Sequence, residues 1–187
     1  MTIVNRILIV PENVQVIIKE QEQKIEVSGP RGKLEFKTSP QVKIIQEGNK
    51  IFTQAVDAKR KSVAKKIRAL AGTMNSLIYN ALEGVNNGYS KQLVIKGVGY
   101  RVSQNDKELE FFLQKSHTDK SIVPEGLEVK CPNSTQIIIQ GIDKEKVSQF
   151  AAQMVKLRKH RPYKLKGIYY EDKIKSIKLK AGKTLNK

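Results

Sequence analysis

The side chains best suited to chemistry lie at the end of the chain, in RPYKLKGIYYEDKIKSIKLKAGKTLNK, residues 161–187. Its basic residues offer point charges for phosphate groups, and Tyr163, Tyr169 and Tyr170 offer flat faces on which bases can stack. This mixture predicts binding to nucleic acid. With the basic residues just before the segment, the predicted contacts are Lys156, Arg158, Lys159, Arg161, Tyr163, Lys164, Lys166, Tyr169, Lys173, Lys175, Lys178, Lys180 and Lys183.

The alternative for this segment is a flexible tail that only raises solubility. Pro162 and Gly167 prevent one regular helix from absorbing the segment. Ile174, Ile177 and Leu179 lie among the lysines, which predicts that part of the segment returns to the body of the protein as a short strand or a turn of helix. Because solubilising tails usually lack aromatic residues, the sequence favours contact over a free tail.

The charge of the whole chain also indicates a polyanionic partner. The formal net charge is +17, from 35 Lys and Arg against 18 Asp and Glu in 187 residues, which is more than solubility requires. Residues 156–187 alone hold 12 Lys and Arg against 2 Asp and Glu. The main contact surface is therefore predicted at the C-terminal end.

Residue types that catalyse reactions or bind metals are sparse. The G-x-G of GVGYR, residues 97–101, lacks the third glycine and the following helix of a dinucleotide-binding loop, so it predicts a bulge or a close approach between strands. His117 and His160 are the only histidines and have no ligand partner at metal-binding spacing, while the single Cys131 is predicted to be a core residue. The sequence predicts no metal, no cofactor and no enzymatic activity.

A second basic stretch, KRKSVAKKIR at residues 59–68, opens a predicted helix. One interpretation is a solvated helix face, and the other is a secondary nucleic-acid contact through Lys61 and Lys65. Positive charge at a helix N-terminus opposes the helix dipole, so an external anion would relieve it. This electrostatic argument slightly favours contact.

The first half of the chain reads as short strands followed by one helix. Turns are predicted at SGPRG, residues 28–32, and around Gly48, with alternating apolar residues on both sides. Asp57 is predicted to cap the helix. The buried stripe of this helix is predicted to be Val63, Ile67, Leu70, Met74, Leu77 and Ile78.

The second half repeats this order of elements. Strand pairs are predicted to turn at residues 104–106 and 132–134, and Asp143 precedes a second helix. The segment IFTQAVD, residues 51–57, aligns with IIIQGID, residues 137–143, which indicates an internal duplication. The stripe of the second helix is predicted to be Val147, Phe150, Ala151, Met154 and Val155.

The sequence therefore predicts an α+β protein of two tandem duplicated domains, each an antiparallel sheet with a helix packed on one face, followed by a basic C-terminal tail. The glycines and asparagines of EGVNNGYS mark the boundary between the halves. The predicted parts are residues 1–82, residues 83–160, and an extension at residues 161–187 that is partly packed on the second repeat.

Several stretches together resemble the large ribosomal subunit protein six family of the bacterial type. They cover almost the whole chain in the family's order, although Leu165 stands where the family's tail has a glycine and Arg161 where an acid is usual. The stretches are VSGPRGKLEF, EGVNNGYSKQLVIKGVGYRV, VPEGLEVKCPNSTQIIIQGIDKEKVSQFAAQ, PYKLKGIYYED and KAGK.

The resemblance implies a structural constituent of the large ribosomal subunit that supports subunit assembly and translation in the cytoplasm, within the ribosome. It implies binding to large-subunit, 23S-type rRNA near the sarcin-ricin loop and the region where translational GTPases dock, beside neighbouring large-subunit proteins. It also implies RNA contact at the loop that holds Ser116 and His117. The secondary rRNA contacts are predicted to be Lys96, Arg101, Lys115, Ser116, His117, Lys61 and Lys65.

Two other classes of function stay open beside this one. A DNA-binding architectural protein would need a groove-reading helix or an intercalating wedge, and no recognition-helix pattern supports it. An RNA-modifying enzyme would need a pocket with converging titratable groups. No apolar run approaches the length of a membrane span, so the sequence predicts no membrane partner.

Overall fold

The computed structural model describes residues 7–19, 23–56, 60–159 and 166–174. The chain divides into two compact units. The first contains the described residues up to Tyr89 together with Ile142–Lys144, and the second contains Ser90–Gly141 and the described residues from Glu145 onward. Both units combine antiparallel sheets with helices, so the predicted α+β class is confirmed.

The first unit holds two antiparallel sheets of three strands each, in the orders β1-β6-β5 and β2-β3-β4. One sheet was predicted, because turn signals locate hairpins but do not encode which hairpins pair with one another. The elements are β1 (Leu8–Ile9), β2 (Gln15–Lys19), β3 (Lys24–Gly29), β4 (Gly32–Lys37), β5 (Val42–Glu47), β6 (Lys50–Ala55) and α1 (Lys61–Asn86).

Both predicted turns of the first unit are confirmed. The β3–β4 hairpin closes with Gly29 opposite Gly32, and the β5–β6 hairpin closes with Glu47 opposite Lys50. Gly48 in the second turn has a φ of 58°, in the left-handed region that glycine enters without steric cost.

Helix α1 packs against the strands of its own unit with a face that only partly matches the predicted stripe. Val63, Leu70 and Leu77 are 37–40% exposed, whereas Ala71 and Val85 are fully buried. Small residues at the close contacts let the helix approach the sheets, and Thr53 donates a hydrogen bond of 3.1 Å to the carbonyl of Ala71. The buried residues of α1 are Ile67, Ala71, Asn75, Ile78, Ala81, Leu82, Gly84 and Val85.

The two ends of α1 also differ from the prediction. Asp57 lies outside the described residues, and the helix begins at Lys61 after Arg60, whose side chain makes no capping hydrogen bond. At the other end α1 continues through Asn86, so the predicted domain boundary after residue 82 falls inside the helix. The first unit extends to Tyr89.

The second unit holds a three-stranded sheet, β10-β9-β8, and a four-stranded sheet, β11-β12-β7-β13. The predicted turns near residues 104–106 and 132–134 join β8 to β9 and β11 to β12. The elements are β7 (Tyr89–Lys96), β8 (Arg101–Asn105), β9 (Glu108–Phe112), β10 (Asp119–Ile122), β11 (Leu127–Asn133), β12 (Gln136–Gly141), α2 (Lys144–Leu157), β13 (Gly167–Tyr170) and α3 (Glu171–Ile174).

Helix α2 buries four of the five residues that its periodicity predicts, and the fifth, Val155, is half-buried. Val147, Phe150, Ala151 and Met154 are each at most 2% exposed, and Asp143 directly precedes the helix. Apolar residues that recur every three or four positions share one face of a helix, so their burial is the main source of its stability.

Candidate nucleic-acid interface

Strand β13 carries part of the predicted C-terminal extension into the four-stranded sheet of the second unit. It pairs antiparallel with β7, with Gly167 opposite Lys96 and Tyr170 opposite Leu93. Lys166 directly precedes Gly167, so Lys96 and Lys166 lie at the same end of this strand pair. Two lysines that are far apart in the sequence thereby occupy neighbouring backbone positions.

The chain that leaves α2 adds more positive charge to this end of the sheet. Ile168 donates its backbone N–H to the carbonyl of Arg158 at 3.1 Å, and Lys159 forms a parallel bridge with Ile168. We call the resulting set of side chains the basic corner. Its members are Lys96, Arg101, Arg158, Lys159 and Lys166.

A tight loop at residues 97–100 joins β7 to β8 within the basic corner. Gly97 has a φ of 146° and Gly99 a φ of 74°, and a Cβ atom on Gly97 would come within 2.8 Å of the Tyr100 ring. Tyr100 is buried, and its hydroxyl accepts a hydrogen bond of 3.2 Å from Nε of Arg158. The G-x-G motif therefore allows the Tyr100 ring to approach the backbone and does not form a phosphate-binding loop before a helix.

Arg101 is exposed and held over an aromatic ring. Its guanidinium carbon lies 4.5 Å from the centroid of the Phe112 ring, which is opposite Arg101 in the β8–β9 pair. A guanidinium that stacks on a ring keeps its in-plane N–H groups available for phosphate oxygens. Arg101 is thus oriented before any ligand arrives.

The loop that holds Ser116 and His117 is adjacent to the basic corner. Gln114 donates a hydrogen bond of 2.8 Å from Nε2 to the carbonyl of Val98, which ties this loop to the loop at 97–100. Ser116 and His117 are both exposed. These two predicted contacts are therefore positioned beside the basic corner.

Lys115, from the same loop, is already paired with an acidic group. Its Nζ lies 2.7 Å from Oδ2 of Asp119, and Nε2 of His117 lies 3.6 Å from the other carboxylate oxygen. Asp119 offsets the charge of Lys115, so this lysine contributes less attraction for phosphates than the lysines of the basic corner. A similar neutralisation holds at Lys120, whose hydrogen bond with Glu110 raises the pKa of its ammonium group.

Tyr169 does not offer a face to RNA, which corrects the prediction for this residue. Its side chain is 1% exposed, because β13 places it in the interior of the second unit. Its role is packing. Tyr170, next to it, is half-buried, and the Nζ of Lys173 lies 5.5 Å from the centroid of its ring.

We expect the burial of Tyr169 to weaken the fold at alkaline pH. Burial raises the pKa of its phenol, so its contribution to stability is complete below about pH 10, the ordinary pKa, and is lost as pH rises through the folded value. Unfolding midpoints in denaturant between pH 9 and pH 12 should fall less steeply for Tyr169→Phe than for the wild type. Equal slopes for the two proteins would contradict this prediction.

The remaining predicted contacts are divided between described and undescribed parts of the chain. Lys156 is exposed in the last turn of α2, where a positive charge also interacts favourably with the helix dipole. Lys61 and Lys65 are exposed one turn apart on α1, in the first unit. The contacts outside the described residues are Arg161, Tyr163, Lys164, Lys175, Lys178, Lys180 and Lys183.

Residues 7–19, 23–56, 60–159 and 166–174 contain no group of three or more His, Cys, Asp or Glu side chains placed to hold a metal ion. None of the helices among those residues has the length and apolar character needed to cross a membrane. Cys131 is half-buried, and burial raises the pKa of its thiol.

Sequence reasoning missed the residues that organise the basic corner. Tyr100 and Gln114 hold the loop at 97–100 in place, but neither has the positive charge or the motif spacing that indicates a binding residue in a sequence. The one available signal was the aromatic residue directly after G-x-G, because a ring can pack on a glycine where no Cβ intervenes. The pairing of β7 with β13 had no local signal.

Comparison with known proteins gives consistent matches along the chain. The sequence model of the family described as ribosomal protein L6 matches residues 10–88 and 96–171. The large ribosomal subunit protein uL6 of Metamycoplasma arthritidis is 41% identical over 183 residues, covering 98% of this chain and 97% of that protein. The proteins of the same name from Carboxydothermus hydrogenoformans and Clostridioides difficile are 41% and 40% identical and cover 94% and 95% of this chain, and 91% and 94% of their own lengths.

Proposed function

Since this chain belongs to the ribosomal protein L6 family, we propose that it binds large-subunit rRNA through the basic corner of its second unit, near the sarcin-ricin loop. Family membership makes the protein a structural constituent of the large ribosomal subunit, associated with rRNA and ribosomal proteins, and not an enzyme. The surface that meets RNA and its location on the rRNA are the proposed parts.

The observation that carries this proposal is that the backbone positions of Lys96, Lys159 and Lys166 lie at one end of the β7–β13 pair. Positive side chains that gather on one surface neutralise neighbouring phosphates and release counterions, which provides sequence-independent affinity. Arg101 and Arg158 are oriented by Phe112 and Tyr100, so little entropy is lost when they bind. A folded RNA with closely spaced phosphates fits such a surface.

The exposed loop beside the basic corner provides the test of location. Ser116→Cys in a Cys131→Ser background gives a single thiol, to which an iron chelate can be attached before the protein is assembled with large-subunit rRNA. We expect hydroxyl radicals from this position to cleave the rRNA in and around the sarcin-ricin loop, close to the region where translational GTPases dock.

Glu47→Cys in the same background is the matched control. Glu47 is exposed at the β5–β6 turn of the first unit, which the proposal does not assign to the sarcin-ricin loop. Its cleavage pattern should differ from that of the Ser116 position. Cleavage from Ser116→Cys that is confined to other parts of the rRNA would refute the proposed location.

A further inference from the structure

One strongly exposed apolar side chain lies inside the basic corner. Val98, at the tip of the loop at 97–100, is 80% exposed, the highest value among the large apolar side chains of the described residues. Single exposed apolar residues are common on protein surfaces, so exposure alone does not indicate a role. The support beneath this valine is what distinguishes it.

Hydrogen bonds and packing fix the backbone that carries Val98. Its carbonyl accepts the 2.8 Å hydrogen bond from Nε2 of Gln114, and the backbone N–H of Tyr100 donates to the carbonyl of Gly97 at 3.3 Å. The ring of Tyr100 is only 4% exposed and packs on Gly97. The valine side chain is therefore presented to solvent by a loop that is already ordered, and binding there requires little further ordering.

The charges around the tip restrict what can occupy it. Lys96 precedes the loop and Arg101 follows it, so an occupant must combine negative charge with apolar surface. RNA has both, because its phosphates lie next to riboses and base faces. We propose that Val98 makes a direct apolar contact with a ribose or base of the rRNA, beside the phosphates bound by Lys96 and Lys159.

This inference rests on the proposed function and adds a contact that charge does not provide. Phosphate contacts orient a protein on RNA but do not read its bases, whereas an apolar contact is formed only where a particular ribose or base lies at van der Waals distance. Val98 would thus add affinity that does not depend on salt, while the surrounding cations provide affinity that does.

The test compares Val98→Ala with the full-length wild type in binding to in vitro transcribed large-subunit rRNA. Loss of two methyl groups from a buried contact should weaken binding roughly fivefold to tenfold. The dependence of the binding constant on potassium chloride concentration should stay unchanged, because no charge is lost. Thermal unfolding should also be almost unchanged, since the side chain is 80% exposed in the free protein.

Ile122→Ala is the matched control for a nonspecific loss of apolar surface. Ile122 is 70% exposed on β10 of the same unit, opposite Glu108 in the β9–β10 pair. Its replacement should leave rRNA affinity unchanged. If Val98→Ala binds as tightly as the wild type, or no more weakly than Ile122→Ala, the inference is overturned while the proposed function stands. If the wild type itself does not bind the rRNA, the proposed function fails and the inference fails with it.

Discussion

Replacing Gly84 with alanine should destabilise the protein by about 2 kcal/mol, which corresponds to a decrease in Tm of roughly 4–8 °C for a chain of this size. Gly84 is buried on α1, and a Cβ atom there would collide with the carbonyl oxygen of Ile142 and lie 3.0 Å from the Tyr89 ring. A backbone oxygen cannot move aside as a flexible side chain can. The segment at 142–144 would have to shift, and Lys144 would lose its 3.0 Å hydrogen bond to Oδ1 of Asn80.

Gly72→Ala provides a control within the same helix. Gly72 lies in the middle of α1, and a Cβ atom added there would meet no atom within 4 Å. Alanine favours the helical conformation over glycine by about 0.5–1 kcal/mol, so this variant should be more stable than the wild type. Thermal or denaturant unfolding of both variants measures the two effects. If the two changes have the same sign, the assigned contact between Gly84 and Ile142 is wrong.

Neutralising Lys96, Lys159 and Lys166 together to glutamine should lower rRNA affinity roughly a hundredfold at about 0.1 M salt. Each phosphate contact contributes about 0.7 to 0.9 to the slope of the logarithm of the binding constant against the logarithm of salt concentration. Loss of three contacts should therefore reduce the magnitude of the slope by about 2 to 3. Titrations between 50 and 300 mM potassium chloride, concentrations of roughly physiological order, would measure both quantities.

The matched variant carries Lys107→Gln, Lys130→Gln and Lys146→Gln. These three lysines are exposed in the second unit, on the β8–β9 turn, on β11 and in the first turn of α2, and they are not members of the basic corner. The change in net charge is the same in both triple variants. A long-range effect of charge alone would therefore lower the rRNA affinity of both variants equally. Equal slopes in the two variants would exclude the basic corner as the main phosphate-binding surface.

Helix α1 shows how far periodicity alone can predict a buried face. The pattern correctly indicates a helix and finds Ile67 and Ile78, which are at most 6% exposed. It wrongly assigns Leu70 and Leu77 to the buried face, because a periodicity pattern gives most weight to large apolar residues. In the structure both side chains are 37% exposed. The buried face uses Ala71 beside Thr53 of β6 and Gly84 beside the carbonyl of Ile142, where small size permits a close approach. Small residues have weak hydrophobic signals, so only the packed structure reveals their role.

The candidate site shows the same division between local and distant information. Charge composition indicates a polyanionic partner and concentrates the positive charge in the C-terminal part of the chain, because net charge does not depend on folding. Composition does not distinguish Tyr169, which is buried, from a tyrosine that can stack on a base. It also does not separate Lys115, paired with Asp119, from a lysine that is available to phosphate.

By itself, the sequence determined the hairpins, the two long helices, the α+β class and the family resemblance. Turn residues, periodicity and charge carry this information because they act over a few neighbouring positions. The tertiary structure decided the division of each unit into two sheets, the face of α1 that is buried, and the placement of Lys96, Lys159 and Lys166 at one end of the β7–β13 pair. These features depend on the pairing of β13 with β7 and on contacts between residues that are distant along the chain. Such contacts form only when the whole unit packs, because burial of apolar surface is shared among all the elements that meet in the core.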